Sequence, residues 1–281
     1  MEFSTKEIRV NGLNFNVLDE GKGQPVLLLH GYPDSLKAWR KVVPLLLEKG
    51  YRVIAFDQRG FGETDAPVSV EEYRIENIVN DVVSILAALK VNSKIRLIGH
   101  DWGSNIGWAF SMAYPQMVES YVAISVGHPM SYFNDGGFEQ TKKGWYIMAS
   151  LFEGRAESMF SANDWALFRM FSDNNPEADE NWIPDLERPG RFTAALNWYR
   201  ANFDPKYAGP TEKEASAPVK VPVLGIYGTN DLYLSKAQMV NSEKYIAAKF
   251  SYYEMEGAGH WIQMERSEEL VQAVEAFYKS I

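Results

Sequence analysis

Apolar and polar positions along this 281-residue chain alternate between a period of two and a period near 3.6. Ile8 and Val10 alternate with polar neighbours before Asn11-Gly12, and Leu13, Phe15 and Val17 do so after it. Asn-Gly between two such runs predicts a hairpin, because both residues accept the positive φ of a tight turn. The solid run Val26-Leu27-Leu28-Leu29, within 25–30, predicts a strand buried on both faces. A helix is expected over about 36–49, then a strand over 52–56 that closes at Asp57. Between 75 and 89, the spacing of Ile75, Ile78, Val79, Val82, Val83, Ile85, Leu86 and Leu89 makes one helical face. A strand over 95–98, a helix over 104–114 and a strand over 121–126 continue the alternation.

The rhythm then breaks. No strand pattern appears over 128–217, and aromatics crowd in, among them Trp145, Tyr146, Phe152, Trp165, Phe168, Phe171, Trp182, Phe192, Trp198 and Tyr199. Sheet rhythm resumes over 221–227, with a last strand over 250–254 and a final helix over 268–279. Alternating strands and helices predict an α/β fold, a mostly parallel sheet flanked by helices on both faces. The expected organisation is a core domain built from 1–127 and 218–281, with 128–217 inserted as a helical cap, or lid. Most of the lid's aromatics are expected to form its own core.

Composition changes this picture little. Hydrophobic residues at 46% and charged residues at 23% suit a globular domain with a sizeable core. A formal charge of −9 would repel nucleic acid and an anionic membrane surface, so neither is expected as a partner. The absence of cysteine excludes disulfides, thiolate catalysis and cysteine metal sites. The first residues lack the basic and then apolar layout of a signal peptide, and no apolar run is long enough to span a bilayer. A cytoplasmic protein, monomer or homodimer, is the expectation. Gly21-Lys22-Gly23 precedes a strand, whereas nucleotide-binding glycine loops follow one. His30, His100, His128 and His260 show no metal-ligand spacing, so no cofactor and no metal are expected.

Candidate chemistry sits at the predicted strand ends, where open α/β sheets place ligands. Gly99-His100-Asp101-Trp102-Gly103 has the Gly-x-nucleophile-x-Gly frame of a strand–turn–helix elbow, with aspartate where serine is usual. A carboxylate can displace a leaving group at saturated carbon and form an alkyl ester, whereas serine suits acyl transfer. Gly228-Thr229-Asn230-Asp231 follows the resumed strand, and Gly257-Ala258-Gly259-His260-Trp261 follows the last. The order nucleophile, acid, histidine is that of the α/β-hydrolases, with His260 as general base and Asp231 fixing its tautomer. Asp57, Asp65 and Asp81 do not fall between the lid and His260. After the first buried strand, His30-Gly31-Tyr32-Pro33 occupies the loop that supplies one oxyanion N–H in this fold, the other coming from the residue after the nucleophile. That assigns the amides of Tyr32 and Trp102, and Tyr32-Pro33 is a candidate cis peptide bond.

Those segments together resemble the epoxide hydrolases of the α/β-hydrolase superfamily, the Asp-nucleophile branch. The resemblance covers nearly the whole sheet domain. It extends to Leu196-Asn197-Trp198-Tyr199-Arg200, similar to a lid motif that holds one of the family's two catalytic tyrosines. It implies Tyr199 for one phenol and Tyr146, in Trp145-Tyr146, for the other. It also implies Pro33 and Trp102 in the substrate pocket, and a small apolar epoxide with water as reactants. Over about 155–190 the resemblance is faint. The nearest rival is a haloalkane or haloacetate dehalogenase with the same Asp nucleophile. Haloalkane dehalogenases usually carry a halide-binding asparagine where this chain has Tyr32, and fluoroacetate dehalogenases follow the nucleophile with arginine rather than Trp102. A non-catalytic ligand-binding protein on the same fold is a third reading, disfavoured by the intact nucleophile, acid and base.

Overall fold

The computed structural model describes residues 4–206 and 218–281. The expected hairpin forms from β1 (Thr5–Val10) and β2 (Leu13–Glu20), paired antiparallel with Ile8 opposite Phe15. Asn11 and Gly12 take φ of 51° and 81°, the conformation for which this dipeptide is suited. Then come β3 (Pro25–Leu29), β4 (Arg52–Phe56), β5 (Ile95–His100), β6 (Val118–Ile124), β7 (Val223–Gly228) and β8 (Phe250–Met255). All eight join one sheet in the order β1-β2-β4-β3-β5-β6-β7-β8. Pairings from β4 to β8 are parallel, and those of β2 with β1 and β4 are antiparallel. Every residue of β3 and β7 is buried, as a strand covered by helices on both faces must be.

Among the element boundaries that depart from the sequence pattern, three have a plain backbone reason. The helix expected over 36–49 is a 3₁₀ turn at Leu36–Trp39 followed by α1 (Val42–Glu48). Pro44 is the reason: it has no N–H to offer the Arg40 carbonyl, and its ring crowds that carbonyl, so a helix can begin just before it but not run through. β6 ends at Ile124 rather than 126, because Ser125 turns to φ 69°. β7 begins at Val223 rather than 221, since Pro222 has no N–H for a ladder.

Helices α2 (Ile75–Ala88) and α3 (Trp102–Ala113) cover the sheet, and Ser267–Tyr278 closes the chain as an amphipathic helix. Between β6 and β7 come α4 (Pro129–Asp135), α5 (Gly137–Lys143), α6 (Trp145–Ser150), α7 (Arg155–Phe171), α8 (Ile183–Leu186) and α9 (Arg191–Phe203), with a π turn at Ala178–Trp182. No strand interrupts them among the described residues. The last stretch of the expected lid, 207–217, lies outside the described residues. Phe160, Trp165, Phe168 and Phe192 are buried among one another, as a lid core requires, whereas Trp145 and Phe152 are 46% and 61% exposed.

Helix α9 is bolted to the sheet domain. Trp198 donates its indole N–H to the Arg59 carbonyl at 3.1 Å, and Asn202 donates to the Tyr73 carbonyl while accepting from the Ile75 amide. Arg200 forms two 2.9 Å contacts to Glu157 of α7, with its own side chain 3% exposed. A buried cation left without its partner costs several kcal/mol, so this pair fixes α7 against α9. Residue 199 therefore projects from a helix held on both sides. Among the described residues no helix is long and apolar enough to cross a membrane.

Candidate active site

Sheet register brings the first two loops together. β3 and β5 are neighbours with Leu29 opposite Gly99, so two residues beyond the ladder the chain leaving β3 meets the chain leaving β5, Gly31 against Asp101. Successive connections leave β3 and β5 in opposite directions, and open sheets bind ligands at such a point. Asp101 sits at φ 53° and ψ −119°, a conformation that costs a non-glycine residue on the order of 1–3 kcal/mol. Its carbonyl accepts from the Ser104 and Asn105 amides at 2.9 and 3.1 Å, which locks the turn into the start of α3. Two glycines allow the close approach. A Cβ at Gly103 would lie 2.0 Å from the Leu29 carbonyl oxygen, and one at Gly31 would lie 2.4 Å from Asp101 Oδ1.

The Asp101 carboxylate has two distinct oxygens. Oδ1 accepts the Tyr32 amide at 2.8 Å, and the Trp102 amide also hydrogen-bonds the group. Oδ2 lies 3.7 Å from His260 Nε2. Burial pushes the Asp101 carboxyl above its ordinary range, while the facing His260 and the two amides pull the other way. The Tyr32-Pro33 peptide bond is cis.

His260 follows β8 and Asp231 follows β7, and β7 and β8 are paired along their length. His260 Nδ1 is 2.9 Å from Asp231 Oδ2. A carboxylate can only accept, so Nδ1 carries the proton and the Nε2 lone pair faces Asp101. Asp231 is itself fixed, its Oδ1 accepting the Tyr233 and Leu234 amides at 2.8 and 3.0 Å. Burial pushes His260 down, but the charge and hydrogen bond of Asp231, with the charge of Asp101, outweigh it and leave His260 above its ordinary pKa. The His260 carbonyl is held in turn by His100 Nε2 at 2.9 Å and Ser125 Oγ at 3.2 Å. Since that carbonyl only accepts, His100 donates from Nε2, and its Nδ1 accepts from the Gln263 amide at 3.1 Å. Burial holds His100 well below the usual histidine value, consistent with a neutral ring.

Tyr146 of α6 and Tyr199 of α9 line a cavity of about 40 Å³ together with Asp101. Their rings meet edge to face at 5.7 Å, and Tyr199 packs on Trp102 at 5.3 Å and on Tyr32 at 5.4 Å. Burial, with the charge of Asp101, pushes both phenols well above their ordinary value, so both keep their protons. The arrangement can therefore present a carboxylate and two phenol donors to one small bound group. Trp102 lines this cavity, whereas Pro33 is buried and is not among the residues lining it.

Sequence reasoning passed over three residues here. Tyr132 and Phe203 line the same cavity, and Tyr233 stacks edge to face on His260 at 4.8 Å. Tyr233 could have been found two residues after Asp231, where its amide closes the turn on that carboxylate. Tyr132 and Phe203 had no signal beyond being aromatic. The other carboxylates near in sequence have structural partners. Asp57 accepts from the Leu36 and Glu63 amides, Asp65 from the Asn14 amide, and Asp81 pairs with buried Arg59 at 2.6 Å.

Comparison with known proteins identifies the family. Residues 24–267 match the family model described as the alpha/beta hydrolase fold. Epoxide hydrolase 2 of Siraitia grosvenorii is 30% identical over 97% of this chain and 97% of its own length. Epoxide hydrolase A of Mycobacterium tuberculosis is 29% identical, covering 96% and 95%. The structure of potato (Solanum tuberosum) epoxide hydrolase I superposes with a TM-score of 0.83 at 27% identity, over 100% of both chains. This chain is a hydrolase that belongs to the epoxide hydrolase family of the α/β-hydrolase superfamily.

Proposed function

We propose that this protein opens an epoxide to a vicinal diol through an alkyl ester on Asp101. The reading is carried by one observation: two buried phenols share a small cavity with a carboxylate that faces a histidine lone pair. Asp101 Oδ2 attacks a ring carbon and the C–O bond to the ring oxygen breaks. That oxygen leaves as an alkoxide, a poor leaving group, and takes a proton from Tyr146 or Tyr199. Oδ1, held by the Tyr32 and Trp102 amides, becomes the ester carbonyl oxygen. Water then adds to that carbonyl carbon with His260 taking a proton, and the amides hold the oxyanion. Collapse expels the second alkoxide, so the protons of the water pass in net to that alkoxide and to the phenolate. Asp231 orients His260 and stabilises its charged form. The inserted segment, 128–217, acts as a lid whose helices α4 to α9 carry the phenols and exclude bulk water.

The direct test is a panel of apolar epoxides, styrene oxide and 1,2-epoxyhexane among them, run beside chloro- and bromobutane. Diol formation without halide release is the expected result. Halide release without diol would transfer the chain to the dehalogenases.

The pH profile supplies a second prediction. His260 must be neutral to take a proton, and its pKa in the resting protein lies above the ordinary 6.5. Its base form is therefore lost as pH falls through that raised value and is fully present above it. Esterification removes the charge of Asp101, one of the groups that raise His260. The acid limb of kcat should therefore lie below the His260 titration seen by NMR in the resting protein. Asp231→Asn should move both to lower pH. Because both phenols sit well above 10, no loss from them is expected up to about pH 10. An acid limb unmoved by Asp231→Asn would remove His260 from the base role.

A further inference from the structure

Asp101 lines one cavity, and a second cavity adjoins it that is larger by an order of magnitude. The inner one, about 40 Å³, has room for roughly three waters, and hence for an epoxide ring with little attached to it. The outer one is about 460 Å³, inside the range of roughly 300–1,000 Å³ typical of ligand pockets. Trp102, Asn105, Pro129, Phe133 and Phe203 line both, so the two adjoin across these five side chains. The rings of Trp102 and Phe203, 5.8 Å apart and edge to face, form part of this shared wall. The outer walls come from Val79 of α2, Ala109 and Met112 of α3, and Pro129 and Phe133 of α4. Asn202 also lines this space, but its amide is already bound to the Tyr73 and Trp198 carbonyls and the Ile75 amide. One charged residue, Glu76, is among the lining groups, and it stands exposed at the rim.

Resting on the epoxide reading above, we propose that the substrate is a neutral, elongated apolar epoxide with its ring at the end of the chain. The ring enters the inner cavity and the tail lies in the outer one. Substituents on both ring carbons would need space that the inner cavity lacks. A tail ending in a carboxylate would meet Glu76 and find no cation in the wall, so uncharged tails are preferred over fatty-acid anions.

Kinetics on the native protein test this with a homologous series, 1,2-epoxybutane to 1,2-epoxydecane. Burying each methylene should raise kcat/KM about three- to fourfold until the tail fills the outer cavity. The 2,3-epoxide of equal carbon number should fall at least tenfold behind its terminal isomer. An ω-carboxylate epoxide should react more slowly than its methyl ester, with the gap closing in salt and in Glu76→Gln. Met112→Trp should lower the decyl-to-butyl ratio of kcat/KM at least tenfold. A ratio near one in the native protein, with short epoxides readily hydrolysed, would overturn the tail site and leave the epoxide reading standing. A folded protein that hydrolyses no member of the series would overturn both.

Discussion

His260→Gln should stop turnover after the first chemical step and leave one substrate molecule attached to Asp101. Glutamine can keep a hydrogen bond to Asp231 but cannot take a proton from water, so ester hydrolysis should fall by about 10³–10⁴-fold. Attack by Asp101 uses no base, because its carboxylate is already the nucleophile. Intact-protein mass spectrometry should therefore show an increase equal to one epoxide, confined to the peptide containing residue 101 and absent in Asp101→Asn. One subtlety follows from the electrostatics. In the native site the facing His260 lowers the Asp101 carboxyl, against the upward push of burial. With glutamine that help is lost, so alkylation of the variant should need a higher pH than in the native protein. An unmodified variant, tested with an epoxide that the native protein hydrolyses, would sink the covalent route. So would a variant with native turnover.

Much of this site can be read in the sequence because each of its three central residues closes an apolar run. Asp101 ends the run of β5, Asp231 follows β7 and His260 follows β8, and parallel strands deliver their ends to one edge of the sheet. His30-Gly31-Tyr32-Pro33 is legible from its place after the first buried strand, and the register of β3 against β5 brings it to the elbow. The inserted helices are harder for a physical reason. Helix α9 is buried along nearly its whole length from Ala194 to Ala201, so no polar face tells the cavity side from the packing side. Trp198 and Tyr199 are adjacent and equally hidden, yet one packs on the Arg59 loop and the other lines the cavity. Tyr132 was equally invisible, since nothing in its helix marks which side faces Asp101. The break at Pro44 was readable from proline chemistry but was masked by the apolar period around it.

Replacing Tyr146 and Tyr199 together with phenylalanine should reduce epoxide opening by about 10²–10⁴-fold. Both donors to the departing oxygen disappear from a cavity of about 40 Å³, where little water can take their place. The loss should fall on the alkylation step alone. Once formed, the ester should still be hydrolysed at a near-native rate, because His260, Asp231 and the two amides are untouched. Any halide release should be unaffected, since a halide leaves without a proton. The single variants separate two arrangements. If both phenols bind the oxygen, each single change should cost less than the double, because the remaining donor compensates in part. If Tyr199 acts without Tyr146, then Tyr146→Phe should be near native and Tyr199→Phe should match the double. Tyr233 is not a substitute, since its hydroxyl donates to the Phe171 carbonyl. Among the described residues Tyr132 is the one other tyrosine that lines the same cavity, and its phenol also stays protonated, pushed up to about 12 chiefly by burial. A native-like Tyr146→Phe beside an impaired Tyr132→Phe would move the second donor from α6 to α4. The carboxylate, the histidine and the lid's other phenol would keep their roles.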